Sequence, residues 1–130
     1  MDAHEFRFIP PRRVSFVMRG TFEEEHALAY KEFLSRQVDR YGEPLDGLFD
    51  LSALTTITSS ARKRIGEQSR TLLFRDIAIV GASFSIRTVS SMLMRAGRII
   101  APQKTPQNVN FFATMDEANS WFDELRSKRI

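Results

Sequence analysis

The apolar run Ile77-Ala78-Ile79-Val80, closed by Gly81, constrains the fold of this chain more than any other feature. Four consecutive apolar residues place apolar side chains on both faces of a strand, because successive side chains in a strand point to opposite faces. Such a strand must be covered on both faces, which is typical of the central strand of a parallel sheet. The run therefore predicts a buried central strand with packed elements above and below it.

The rest of the chain alternates between strand-like and helix-like patterns. Strands are predicted at 6–9, 14–19, 48–51, 77–81 and 109–113, and the first two, separated by Pro10-Pro11, are predicted to form a hairpin-like pair. Helical periodicity follows the second strand and every later strand. This order predicts an α/β fold with a mixed, mainly parallel central sheet of about five strands covered by about four helices. A length of 130 residues predicts one domain, 1–130.

Turn and cap residues mark the predicted boundaries. Gly20 should end the second strand, and Thr21 with Glu24 should form a capping box that starts the first helix, which Gly42 and Pro44 stop. The second helix should begin at Ser59 or Ser60 and run to about Leu73. Ser83 or Ser85 should cap a helix from Phe84 to about Arg98, and Thr114 with Glu117 should cap the last helix.

The segment from Leu48 to Ala61 carries the strongest candidate site. An apolar strand leads into Asp50 and Ser52, then through a short bridge to Thr58, Ser59 and Ser60 at the start of a basic helix. The first backbone N–H groups of a helix have no partner within the helix, and the helix dipole favours negative charge there. The segment therefore predicts a place suited to an anion or a phosphoryl group. The alternative is that Ser59 and Ser60 only cap the helix.

The sequence lacks the groups that most catalytic mechanisms need. It has no cysteine, which excludes disulfides, thiol catalysis and cysteine–zinc sites and suits a reducing compartment. His4 lies near the terminus and His26 lies in a helix among acidic residues, so neither has an evident serine partner. The stretch 81–85 lacks the second glycine of a nucleophile elbow, and no phosphate-binding or dinucleotide-binding glycine motif occurs. We predict no enzymatic activity, no metal and no cofactor.

Charge is unevenly distributed along the chain. Residues 62–104 contain nine Lys or Arg and two acidic residues, so this segment has a net charge of +7 although the whole chain has +3. A basic segment can meet nucleic acid, an anionic membrane or an acidic protein, or it can be a solvated helix face. Nucleic acid is not the expected partner, because no clustered aromatic residues accompany the arginines. No run of about 18 apolar residues is present, so no transmembrane segment is predicted, and the polar N-terminus predicts a cytoplasmic location.

An apolar set in the helix after Gly81 and directly beyond its predicted end has three alternative roles: Met92, Leu93, Met94, Ile99 and Ile100. Three consecutive apolar residues span about 200° of a helix, which is too wide for one buried stripe. The set can belong to the core, form a self-association face, or line a slot for a small apolar ligand, for which methionine is well suited.

Three segments carry a resemblance to a known family: 49–61, 77–81 and the run 112–122 with its Trp121-Phe122 pair. From about Arg13 to Arg126 the chain resembles the STAS superfamily and, more closely, the SpoIIAA-like (STAS/CRAL-TRIO-like) proteins. The resemblance implies a STAS-like, non-enzymatic regulatory or protein-interaction module of the bacterial cytosol, with a protein partner. A homodimer is one possible state, because the apolar set after Gly81 can form a self-association face.

The resemblance also implies roles for particular residues. In anti-sigma-factor antagonists the matching loop reads Asp-Ser-Ser/Thr-Gly, and the position of Ser60 is phosphorylated by a partner kinase. Thr58 and Ala61 stand where that pattern has Asp and Gly. The CRAL-TRIO side of the resemblance implies an alternative function, a carrier or sensor that binds a small apolar or anionic ligand.

Overall fold

The computed structural model describes residues 4–42, 45–66, 74–100 and 108–128, with side chains in the third helix described through Met92 and at Arg95. The described elements, in chain order, are β1 (Glu5–Ile9), β2 (Arg13–Phe22), α1 (Glu24–Tyr41), β3 (Leu45–Ile57), α2 (Ser59–Gly66), β4 (Phe74–Val80), α3 (Phe84–Ile100), β5 (Asn108–Phe112) and α4 (Met115–Lys128). No helix in these ranges combines the length and the apolarity needed to cross a bilayer.

The five strands form one mixed sheet in the order β1-β2-β3-β4-β5. The hairpin prediction is confirmed, because β1 pairs antiparallel with β2 in a register that joins Ile9 to Arg13. The three other pairings are parallel, since each is connected through a helix that returns the chain to the same edge of the sheet. The predicted α/β architecture is confirmed.

Both faces of the sheet are covered by helices. On one face, Ile77 and Ile79 belong to a large core cluster with Ala27 of α1, Ala61 of α2 and Ile86 of α3. On the other face, a smaller cluster joins the following buried residues of β3, β4 and α4: Leu48, Ala78, Val80, Ala118 and Phe122. Alternate residues of β4 therefore serve opposite faces, which confirms the buried central strand predicted from the apolar run.

The large cluster is built mainly from aromatic rings. Phe16 of β2 lies 5.0 Å from Tyr30 and 4.8 Å from Phe49, measured between ring centroids. Tyr30 is 5% exposed, and its burial raises the pKa of its hydroxyl above the ordinary value. These rings join α1 to the centre of the sheet.

The start of α1 differs from the prediction. Gly20 has a positive φ of 69° but does not end β2, which continues to Phe22. The N-cap of α1 is Glu23, not Thr21, and the Glu23 backbone N–H donates to His26 Nδ1 at 2.9 Å. The predicted Thr21–Glu24 capping box is therefore wrong, because pairing with β3 keeps Thr21 and Phe22 extended.

The caps of α3 and α4 and the end of α1 follow the sequence pattern. Thr114 Oγ1 accepts the Glu117 backbone N–H at 3.2 Å, and Glu117 Oε1 accepts the Thr114 backbone N–H at 3.1 Å, as a capping box requires. Ser83 Oγ accepts the Ile86 backbone N–H at 3.3 Å at the start of α3. Gly42, with φ 65°, ends α1. The predicted end of α2 near Leu73 lies outside the described residues.

Candidate functional site

The strand that leads to the candidate site is longer than predicted. β3 extends to Ile57, so the stretch 53–57, predicted as a bridge, is part of the strand. Between the pairs Val17–Asp50 and Arg19–Ala53, β3 advances three residues while β2 advances two, which marks a bulge. The bulge allows Leu51 and Leu54, three residues apart, both to be buried. The buried residues of β3 therefore do not follow a strict two-residue alternation. For this reason the sequence pattern did not predict the full length of the strand.

The second helix begins with a cap from Thr58. The Thr58 backbone N–H donates to the carbonyl of Phe22 at 3.0 Å, so the ends of β3 and β2 are tied together. Thr58 Oγ1 accepts the Ala61 backbone N–H at 3.1 Å, which makes Thr58 the N-cap of α2. The prediction that Ser59 or Ser60 caps the helix is wrong, because both residues already lie inside α2.

Ser59 and Ser60 lie in the exposed first turn of α2. Ser59 Oγ accepts a hydrogen bond from Arg62 Nη2 at 3.0 Å. Within the described part of the chain, the Ser60 hydroxyl has no hydrogen-bond partner. We call Thr58, Ser59 and Ser60 the α2 site; it presents two exposed hydroxyls at the positive end of a helix.

Charges around the α2 site come from two helices. The first turn of α2 has no acidic residue, whereas its last turn carries Lys63 and Arg64. Arg64 Nε contacts Glu24 Oε2 of the α1 first turn at 2.6 Å, and both side chains are 43% exposed. The ion pair links the first turn of α1 to the last turn of α2, and the neighbouring Lys63 is exposed. The site is therefore basic on its α2 side and acidic on its α1 side.

Asp50 and Ser52 do not join the α2 site. The Ser52 backbone N–H and Ser52 Oγ both donate to Asp50 Oδ1, at 3.1 and 2.7 Å. They lie where β3 separates from β4, because pairing between these strands ends at Asp50 and Val80. Five extended residues follow Ser52 before β3 ends, so Ser52 is about 15–20 Å from Thr58. The single junction expected from the sequence is in fact two separate places.

Comparison with known proteins places this geometry in a known fold. One similar solved structure is an uncharacterised protein of the DUF3478 family with a SpoIIAA-like fold from Shewanella loihica PV-4; it is 17% identical, with a TM-score of 0.64, covering 93% of this chain and 94% of that one. The unphosphorylated form of the anti-sigma factor antagonist SpoIIAA is 16% identical, with a TM-score of 0.61, covering 95% and 98%. The chain has a SpoIIAA-like fold.

Sequence comparisons add nothing to this SpoIIAA-like assignment. No family model matches the chain, and no curated protein matches its sequence. The likeness is therefore one of fold.

The apolar set on α3 of the SpoIIAA-like fold is described only at its first member. Met92 is 56% exposed, so of the three alternatives a place in the core is wrong for this residue. The side chains of Leu93, Met94, Ile99 and Ile100 lie outside the described residues. Phe84, at the start of the same helix, is 85% exposed and was not singled out from the sequence. A self-association face and a ligand slot both stay predictions.

Both histidines pack at the start of α1, close to where β2 ends. The ring of His4 lies 5.1 Å from that of Phe22 and 4.3 Å from that of His26, measured between centroids. His4 Nδ1 accepts the Arg19 backbone N–H at 3.2 Å. The sequence indicated no such role for His4, because the contact depends on the pairing of β1 with β2. Among the described residues, no cluster of three or more His, Asp or Glu that could hold a metal ion occurs.

A row of polar residues at the opposite edge of the sheet was missed by the sequence analysis. Arg13 pairs in register with Asp46, and Asp76 pairs with Asn108. Asn108 Nδ2 donates to Asp76 Oδ1 at 2.9 Å, and Asp76 is 1% exposed. Each of these four residues lies at or near the first position of its strand. That shared position is the only feature of the sequence that could have indicated the polar row.

The cap assignment in the SpoIIAA-like fold predicts different effects for two neighbouring substitutions. Thr58→Ala should lower the free energy of unfolding by about 1 kcal/mol, because it removes the acceptor of the Ala61 N–H. Ser60→Ala should change it by less than about 0.5 kcal/mol, since an exposed hydroxyl without a partner is removed. Urea unfolding followed by circular dichroism measures both. A larger loss for Ser60→Ala than for Thr58→Ala would contradict the assignment.

Proposed function

We propose that this chain is a non-enzymatic regulatory module that acts by binding another protein through the α2 site and the basic surface beside it. The observation that carries the proposal is the exposure of Ser59 and Ser60 at a helix N-terminus in a SpoIIAA-like fold. A similar structure is that of an anti-sigma factor antagonist recorded in its unphosphorylated form. That similarity supports a regulatory role for this chain.

The two departures from the Asp-Ser-Ser/Thr-Gly pattern are compatible with such a site. Thr58 replaces Asp, and both residues are good N-caps; Thr58 makes the capping bond here at 3.1 Å. Ala61 replaces Gly, and it is fully buried in the core beneath the first turn of α2. The position is helical and faces the core, so it does not require the conformational freedom of glycine.

The chemistry of the surface favours an acidic protein partner. Arg62 and Lys63 follow the two serines after one intervening residue, Ala61, and the positive end of the helix dipole adds to their charge. A phosphoryl group on Ser60 would add a charge of about −1.5 to −2. This negative charge would offset the positive charges of Arg62 and Lys63, so phosphorylation would release an acidic partner.

The proposal includes a cytoplasmic location and a homodimeric state. The cysteine-free sequence supports a reducing compartment. The exposed Met92 supports a self-association face on α3 rather than a core role. Native mass spectrometry of the purified chain would report both its oligomeric state and any retained small ligand.

Affinity capture with charge variants tests the protein-binding role. The chain, immobilised and incubated with bacterial lysate, should retain one protein in stoichiometric amount. Lys63→Glu and Ser60→Asp should each reduce that capture by about tenfold, because each places negative charge where an acidic partner binds. Lys128→Glu on α4 reverses another exposed lysine and should leave capture unchanged.

Two results would contradict the proposal. One is equal capture by the wild type, Lys63→Glu and Ser60→Asp, which would place the partner elsewhere. The other is turnover of a small molecule by the purified chain together with the absence of any stoichiometric protein partner.

A further inference from the structure

A shallow depression of about 190 Å³ lies at the edge of the sheet where β2, β3 and β4 begin. The β1–β2 turn, the first residues of these strands and the second half of α4 surround it. Its charged lining consists of four arginines and two aspartates: Arg12, Arg13, Arg75, Arg126, Asp46 and Asp123. β2 has ten residues and ends beside the α2 site, so the depression is about 30 Å from that site.

The depression carries excess positive charge. Its lining residues sum to a net charge of +2, and including the buried Asp76 behind Arg75 leaves +1. The two carboxylates of the lining are engaged by their own arginines. Asp46 is contacted by Arg75 at 3.2 and 2.9 Å through both carboxylate oxygens, and Asp123 is contacted by Arg126 at 3.1 Å. With these two ion pairs counted, the lining residues still sum to a positive charge.

Within the described part of the chain, no carboxylate forms an ion pair with Arg13. Its Nη1 donates to the neutral amide oxygen of Asn119 at 3.1 Å. Its guanidinium lies 4.3 Å from the ring centroid of Phe122, which fixes the plane of the group. Burial lowers the pKa of Arg13, and Asp46 and Asp123 only partly oppose that effect. A desolvated cation with a neutral partner is stabilised further when an anion arrives.

The remaining lining is apolar. Ile9, Pro10 and Pro11 form the rim contributed by the β1–β2 turn, and Phe122 forms the wall contributed by α4. All three rim residues are exposed in the free chain. The volume corresponds to about six water molecules at about 30 Å³ each. It suits one oxyanion group with a short apolar part.

We propose that this depression binds the carboxylate or phosphate group of a small organic molecule, with the anion at Arg13 and Arg126 and the apolar part against the Ile9–Pro11 rim. Guanidinium groups fit both anions because they donate two parallel hydrogen bonds to paired oxygens. Asn119 and Phe122 hold Arg13 in place, so little side-chain entropy is lost on binding. The site does not depend on the function proposed for α2, because the two lie at opposite edges of the sheet.

Nuclear magnetic resonance titration of the full chain tests the proposal. Inorganic phosphate, benzoate and uncharged benzamide are added separately to ¹⁵N-labelled protein. Phosphate or benzoate should give saturable shifts at Arg13, Asp46 and Phe122, and benzamide should give none. Saturation by phosphate alone assigns a phosphate ligand, and saturation by benzoate alone assigns a carboxylate; either supports the site.

Two matched variants separate this site from general surface charge. Arg126→Gln removes a cation at the depression, and Arg36→Gln removes one from an exposed pair on α1; both pairs are exposed at the surface, so both variants should fold. Arg126→Gln should raise the dissociation constant for the anion about tenfold, because a charge-assisted hydrogen bond is lost. Arg36→Gln should leave it unchanged.

Three outcomes would overturn the inference. The first is the absence of saturation with both anions. The second is binding of benzamide as tight as that of benzoate. The third is an equal effect of the Arg126→Gln and Arg36→Gln substitutions, which would show that the anion responds only to net charge. None of them bears on protein capture through α2.

Discussion

The Phe16→Ala variant should lose about 3–5 kcal/mol of its free energy of unfolding, the typical range for deleting a buried aromatic side chain. Phe16 is 0% exposed at the centre of the large core cluster. Its ring contacts those of Phe6, Tyr30, Phe33 and Phe49, at centroid distances from 4.8 to 5.8 Å. These rings come from β1, α1 and β3, so a cavity here weakens three packed elements at once.

The chain offers a matched control for this substitution. Phe84→Ala makes the same chemical change at a side chain that is 85% exposed, and it should alter the free energy of unfolding by less than about 0.5 kcal/mol. Urea unfolding at 25 °C, followed by far-ultraviolet circular dichroism, compares the three proteins. Similar losses for the two variants would contradict the placement of Phe16 at the centre of the core.

Gly81→Ala should be the second most damaging change, with an expected loss of about 2–4 kcal/mol from backbone strain and overpacking together. Gly81 has φ 71°, a conformation that residues with a Cβ rarely adopt. A Cβ built at Gly81 would lie 2.6 Å from Ser52 Cβ and 2.9 Å from Ser52 Cα. The Ser52 backbone belongs to β3 and cannot move without disturbing the sheet.

Gly20→Ala separates the two causes. Gly20 has nearly the same φ, 69°, but a Cβ there meets nothing within 4 Å. Gly20→Ala should therefore lower the free energy of unfolding only by the cost of holding alanine at a positive φ, about 1 kcal/mol. The difference between the two glycine variants in thermal and urea unfolding measures the close approach of β3 and β4. Equal losses would mean that Ser52 does not crowd Gly81.

Local patterns in the sequence predicted much of the fold. The apolar run Ile77–Val80 predicted a strand covered on both faces, and the structure places it at the centre of the parallel part of the sheet. The Thr114–Glu117 box and the Ser83 cap depend on residues three positions apart, and both are present. Such features are predictable because the partners are neighbours in the chain. The domain count of one stays a prediction.

Predictions that depended on distant pairing were wrong or were missed. β3 was predicted to end at Leu51, yet its pairing with β2 carries it to Ile57. The same pairing moves the cap of α2 to Thr58 and separates Asp50 and Ser52 from the serines. The arginine-lined depression joins a turn, three strands and α4, and nothing in the local sequence around Arg13 or Arg126 indicates that they share a cavity.

The sequence alone therefore determined the α/β class, the order of the elements and the caps of α3 and α4, because these follow from side-chain period and short-range hydrogen bonding. Tertiary structure alone decided how far β3 extends, which hydroxyl caps α2 and which charges meet at the edge of the sheet. Those outcomes depend on strand register and bulges, which are set by contacts between residues far apart in the chain.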